Sequence, residues 1–407
     1  MVYDVIVIGG GPAGLMACNV LEKNKINYLL LEKNSTPGKK LLITGGTRCN
    51  VTNRLSIDEF IVSLNFKHKK FMYPALTFFS SNDIISYFKN NGLKLILEDD
   101  MKYFPETNKS SSVLEVLLSN IDKKKMRTNQ AVIEIEKQND IFRLHTKDFI
   151  FETKHVVVAT GSKSYPQTGS TGDGAVFAEQ LGIEVIPFTP AETHIYASDV
   201  IKYYKDLQGV SISNITVKIN GTKIKTTGSL IFTHFGLSGP AILHLSEDIY
   251  REILKKPTTI SFNLVKQSVN ELHDVINKAS DQNMHILKTL EQLTTKRLSR
   301  KVLDILKIEN IRIKELSNKD INNIINILTN FTVPIDRVED REKAFVNAGG
   351  VDTKELDPKS MESKKVKNLY FIGETIDLHG PIGGYNITIA LSTGRLCATD
   401  IIHKLSQ

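Results

Sequence analysis

The chain has no tryptophan and only three cysteines, Cys18, Cys49 and Cys397. Thiols so few and so scattered exclude a disulfide framework, and they lack the paired spacing of a zinc site, so no metal is expected. No apolar run approaches the roughly 20 residues that a membrane helix needs. The apolar run at the N-terminus is too short for a signal peptide and lacks a basic start, which predicts a cytoplasmic protein without a membrane partner. Low-complexity segments and short repeats are absent, and a hydrophobic content of 41% with 24% charged residues is ordinary for a globular chain. Its 407 residues leave room for two or three domains. Arginine clusters are also missing. Lys and Arg exceed Asp and Glu by 52 to 45, but the excess is lysine dispersed among Asn and Ile, and aromatics make up only 7%. Nucleic-acid surfaces favour clustered basic residues with stacking rings, so the sequence does not favour a nucleic-acid partner.

What is present begins at Tyr3. The apolar run at residues 3–8 leads straight into Gly9-Gly10-Gly11-Pro12-Ala13-Gly14, a G-x-G-x-x-G turn. A helical stretch follows, then a second apolar run, Tyr28-Leu29-Leu30-Leu31, ending in Glu32. Each part has a physical task in binding a dinucleotide. Gly9 permits the tight turn, Gly11 lets backbone approach a pyrophosphate, and Gly14 lets the helix pack close to the strand. The helix N-terminus offers unpaired N–H groups and partial positive charge to the phosphates, and Glu32 accepts from a ribose diol.

Further along, residues 44–53 read Thr-Gly-Gly-Thr-Arg-Cys-Asn-Val-Thr-Asn. Consecutive N–H groups in such a loop can form an anion nest, and Arg48 can answer phosphate or flavin oxygen charge. Cys49 has no second cysteine beside it, so it reads as a small residue at the cofactor rather than a redox thiol. Residues 58–126 read as mainly helical, and 131–136, 142–145 and 155–161 as strands, the last closing on Ala159-Thr160-Gly161. Glycines at 169, 172 and 174 read as a connector near the cofactor rather than a second nucleotide site. Composition shifts near Pro187 and Pro190. Beyond it lies a β module, residues 190–265, with Asn220-Gly221 as a hairpin signal. A helical module over residues 266–332 follows, its last helix capped by Ser317. Residues 368–374 then read as another buried strand, and Gly383-Gly384-Tyr385-Asn386 feeds a long helix with a continuous apolar stripe. That positive helix end could stabilise negative charge on a flavin ring.

Together these blocks resemble the aminoacetone-oxidase-like (YhiN-type) flavoproteins of the glutathione-reductase-like FAD superfamily. The T-G-G-x-R-C-N-V-T-N block and Phe232-Thr233-His234-Phe235-Gly236-Leu237-Ser238-Gly239-Pro240 carry the resemblance most specifically. It implies an α/β fold: a discontinuous Rossmann-like FAD-binding domain, residues 1–189 and 345–407, interrupted by an inserted domain, residues 190–344. It implies non-covalent FAD, held by Gly9, Gly11, Pro12, Ala13, Gly14, Glu32 and Lys33. Lys40, Thr44, Gly45, Arg48, Cys49, Asn50 and Val132 continue the set. Ala159, Thr160, Gly161, Gly373, Glu374, Asp377, Gly384, Asn386 and Ile387 complete it. Thr47 stands where the family commonly has glycine, and residues 190–194 depart from its usual apolar form.

The expected activity is an FAD-dependent oxidation or reduction of a small molecule, an amine such as aminoacetone or a conjugated double bond, with NAD(P)H as a transient reductant left open. A flavin-dependent RNA-modifying enzyme is the alternative. Tyr385 and His379, beside the C-terminal glycine loop, are the first candidates for a catalytic role, with His194 and His234 behind them.

Overall fold

The computed structural model describes residues 1–64, 66–98 and 101–407, and the chain divides into two compact units: Met1–Thr189 with Phe345–Gln407, and Pro190–Ala344. Unit 1 is built on a mixed sheet. Val2–Ile8 lies between Tyr28–Leu31 and Ile150–Val158, all parallel, and Leu369–Phe371 extends the parallel set beside the end of Ile150–Val158. Strands buried on both faces must be apolar throughout, which explains the unbroken runs Val5-Ile6-Val7-Ile8 and Tyr28-Leu29-Leu30-Leu31. Val132–Gln138 and Ile141–Thr146 form an antiparallel meander ending in Ile150–Val158. On one edge the long strand therefore pairs first with Ile141–Thr146 and then with Leu369–Phe371, and its last three residues, Val156, Val157 and Val158, are buried and apolar.

Two helices cover the parallel strands. Pro12–Lys23 starts at the glycine turn, its proline fixing the backbone where no helical N–H is needed. Tyr385–Leu405 carries Ala390, Leu391, Gly394, Cys397, Ala398 and Ile401 buried on its inner side. The two ends of the chain thus build one layer.

The stretch read as mainly helical does hold Ile57–Ser63, Tyr73–Phe78, Ser81–Asn90 and Ser110–Ser119. It also holds a three-stranded antiparallel sheet of Thr52–Asn53, Lys102–Pro105 and Leu95–Glu98. These strands are too short for alternation to show in the sequence, and non-local pairing defines them.

Unit 2 is a seven-stranded sheet with antiparallel pairings, and helices. Its hairpin pairs Ser211–Ile219 with Lys225–Phe232. The second strand resumes at Lys225 because Thr222 turns inward on the loop, donating its hydroxyl to Ile219 O and accepting from Ile224 N–H. Helices Val269–Asp281, Ile286–Leu293, Lys296–Leu306 and Asn318–Thr329 follow, the last with Ser317 and Asp320 in a capping box. Phe331–Ile335 then returns to the sheet, pairing with Thr258–Phe262, so the helical stretch stops short of residue 331.

Candidate cofactor and active site

A cleft opens in unit 1 at the C-terminal ends of its parallel strands. The glycine turn forms its floor. Gly9 has φ of +102°, and a Cβ there would stand 2.5 Å from Ala159 O, so only glycine lets the first strand turn under its neighbour. At Gly14 a Cβ would lie 2.0 Å from Gly9 O, which seats the helix on the turn. At Gly11 a Cβ would meet no atom within 4 Å, so this backbone faces open space at the helix N-terminus. A bare backbone with unpaired N–H groups beside an open cleft fits a pyrophosphate.

Glu32 marks one end. Its carboxylate is buried, accepting from Gly10 N–H at 2.8 Å and from Asn34 N–H at 2.7 Å. These bonds aim the group while leaving lone pairs for a ribose diol. Lys33 pairs with Asp173 at 2.7 Å, and Lys40 pairs with Glu374 at 2.6 Å, with the Ser162 hydroxyl donating to the same Glu374 oxygen at 3.1 Å. Both pairs stand in the wall, so they shape it and offer polar contacts without a large net charge. At the other end are Asn386 and Ile387, in the first turn of the helix whose N-cap is Gly384.

The wall brings together Gly9, Gly11, Pro12, Ala13, Glu32, Lys33, Lys40, Thr44, Val132, Ala159, Thr160, Gly161, Glu374, Asn386 and Ile387. Gly14, Gly45, Arg48, Cys49, Asn50, Gly373, Asp377 and Gly384 stand off it. Arg48 is turned away to the Glu98 carboxylate and Asn108 Oδ1, with its guanidinium 4.2 Å over the Phe104 ring. Cys49 is buried, and burial pushes its thiol up to about 11 despite a hydrogen bond to Thr44. Asn50, oriented to match its neighbours, donates to Thr52 O and Tyr103 O and accepts from Gly384 N–H at 3.1 Å. It therefore braces the start of the last helix. Asp377 accepts from Gly349 N–H, and Gly373 N–H donates to the Thr393 hydroxyl. Thr47, at the family's glycine position, has φ of +71°, the left-handed region that glycine favours.

The two leading catalytic candidates also stand off the wall. Tyr385 packs its ring 4.8 Å from Phe60, and the buried His379 lies 6.0 Å from Phe66. Sequence reasoning missed Asn34, Gly38, Gln130, Thr168, Ser170 and Phe177, which do line the cleft. The glycines around Gly169 were the available signal for part of this group. Gln130 and Phe177 carried none, since only folding brings them here.

Unit 2 holds its own polar cluster. His194 Nε2 lies 3.2 Å from Glu339 Oε2, which also accepts from the Tyr196 hydroxyl at 2.9 Å. Burial pushes His194 down, and Glu339 partly offsets it. Burial alone would raise Glu339, but Asp340 N–H, the Tyr196 hydroxyl and His194 hold it below the usual range. His194 stacks 4.1 Å from Phe235, His234 is exposed beside the same ring, and Arg337 lies 3.6 Å over Tyr196. In the divergent stretch at 190–194, buried Glu192 lies 3.0 Å from His244.

A Rossmann-like sheet with this turn, acid and second glycine-capped helix defines an FAD-binding oxidoreductase. The profile described as HI0933-like protein Rossmann domain matches residues 3–400, and the chain belongs to that family. Over 411 aligned residues it is 30% identical to a ribosomal RNA dihydrouridine synthase of Escherichia coli (strain K12), covering 100% of this chain and 99% of the relative. A 3-dehydro-bile acid delta(4,6)-reductase of Clostridium scindens is 26% identical, over 96% of this chain and 97% of the relative. The fold is shared with the 3-ketosteroid delta1-dehydrogenase of Sterolibacterium denitrificans, at a TM-score of 0.51 and 12% identity, over 99% of this chain and 100% of that one. No helix among the described residues is long and apolar enough to cross a membrane.

Proposed function

We propose that this protein is an FAD-dependent reductase of a carbon–carbon double bond conjugated to a carbonyl, with a uridine of ribosomal RNA as substrate. The observation that carries the reading is that two relatives aligned end to end have names describing one chemistry. Dihydrouridine arises by saturating the C5–C6 bond of uracil, which is conjugated to the C4 carbonyl. A delta(4,6)-reductase of a 3-keto steroid saturates bonds conjugated to that ketone. Greater similarity to the first relative favours the RNA substrate over a steroid.

In this reading the turn from Gly9 to Gly14 and the N-terminus of Pro12–Lys23 hold the pyrophosphate, and Glu32 holds the ribose. The positive end of Tyr385–Leu405, whose first turn lines the cleft, would favour negative charge on a flavin ring placed there. When bound and reduced by a nicotinamide, which would give both electrons, the flavin would supply a hydride to the β-carbon. A proton added at the α-carbon completes the balance.

The test is to incubate the holoenzyme with unmodified ribosomal RNA and NADH or NADPH, then digest to nucleosides and weigh them. A uridine gaining two hydrogens, dependent on enzyme and reductant, is expected. Unchanged RNA, with turnover of aminoacetone or of a dienone steroid instead, would overturn the substrate.

A further inference from the structure

Unit 1 carries a basic groove that the cofactor cleft does not use. Lys67, His68, Lys69 and Lys70 line one part of it, and Lys354 and Lys364 another. All but Lys69 are exposed. Among the described residues no acid contributes to the lining. Lys69 Nζ donates to Val62 O at 2.9 Å and Lys364 Nζ to Lys354 O at 2.8 Å, so two of the amines meet carbonyls rather than carboxylates. The only carboxylate within ion-pair reach of these amines, among the described residues, is Asp352, and it stands 3.9 Å from Lys354. Five ammonium groups sharing one groove with so little compensation repel one another, and an anion with regularly spaced charges relieves that repulsion. Phe71, half-buried in the same lining, adds an aromatic surface on which a base could stack.

The groove's first segment is also tied to the cofactor end of unit 1. Phe66, next to Lys67, contacts His379, and a Cβ on Gly380 would stand 3.0 Å from Leu64 Cδ2. Asn386, on the cleft wall, donates to Gly380 O at 2.9 Å and accepts from Gly380 N–H at the same distance. A short chain of contacts therefore joins the lysines to the loop beside the ring end of the cleft.

We propose that this groove docks the phosphate backbone of single-stranded RNA and holds the substrate strand beside the cofactor loop. The inference rests on the RNA reading above and adds the surface that would recognise it. Affinity of the holoenzyme for a fluorescent single-stranded oligonucleotide of ribosomal sequence is measured against salt, for wild type and for K67Q/K70Q/K364Q. The variant is expected to bind more weakly, with its log–log salt slope reduced by about 2 to 3. Its FAD spectrum should be unchanged. Photo-crosslinking of the wild type, which needs no substitution, should mark peptides carrying Lys67 to Phe71 or Lys354 to Lys364.

A wild type that modifies RNA while the variant keeps its affinity and slope overturns this inference alone. Crosslinks confined to other peptides do the same. A wild type that neither binds nor modifies RNA overturns both readings. Preference for polyglutamate over RNA would reassign the groove to an acidic protein and likewise overturn the proposal.

Discussion

Gly394 and Ala13 touch backbone to backbone: a Cβ on Gly394 would stand 2.3 Å from the Ala13 carbonyl oxygen. Ala13 is the second residue of the helix Pro12–Lys23, and Gly394 lies near the middle of Tyr385–Leu405. The closeness of these two residues sets how the C-terminal segment closes the cofactor unit.

Substituting Gly394→Val should therefore force the two helices apart. Overpacking against backbone costs about 1–3 kcal/mol, and the upper part of that range is expected because neither partner can rotate away. Thermal unfolding and FAD retained through gel filtration check it. A variant with the wild-type midpoint and full FAD content would show that the layer yields freely.

Glu32→Ala should weaken FAD binding by about 1.5–3 kcal/mol, through loss of charge-assisted bonds to the ribose. The same substitution frees Gly10 N–H and Asn34 N–H, so the turn should loosen as well. Titrating apoprotein with FAD and following flavin fluorescence measures the loss. The wild-type flavin should come off as intact FAD on acid precipitation, and flavin remaining with the pellet would contradict non-covalent binding.

No thiol should react in the native protein near pH 8. Burial raises Cys18 and Cys397 well above the ordinary thiol value, and it raises Cys49 to about 11. Iodoacetamide should add nothing to the folded protein and three groups after denaturation, as mass spectrometry would show. Rapid alkylation of Cys49 in the native state would reopen a redox role for it.

His155 should make stability fall on the acid side of neutrality. Burial holds its pKa below the ordinary 6.5, outweighing the hydrogen bond from its ring to Asp4 O. Above 6.5 neither folded nor unfolded state binds the proton. Below it the unfolded chain gains the proton first, so stability is lost as pH falls through the folded value, at most about 1.4 kcal/mol per pH unit. Lys404 and Glu362 act on the same ring with opposite signs. Denaturant unfolding between pH 7.5 and 5.0, a range of about one unit or more around the ordinary value, should show a shallower slope in His155→Gln. Equal slopes would place the acid sensitivity elsewhere.

The sequence by itself determined the α/β class and the glycine turn, because these are local. Val5 to Glu32 must be strand, turn, helix and strand for reasons written within a few residues of each position. The Ser317 cap and the apolar stripe from Ile387 to Leu405 were legible on the same ground. Tertiary structure decided the rest. Arg48 looked free to meet phosphate until Glu98, Asn108 and Phe104 came to it from a distant segment. Tyr385 and His379 sit beside the glycine loop in sequence, yet their rings pack on Phe60 and Phe66. Lysines that looked dispersed along the chain converge in one groove, because two segments separated by most of its length fold together. Local propensity reads what a residue does to its own backbone. Which side chain faces it across space depends on pairings far apart in sequence, and only the packed chain specifies those.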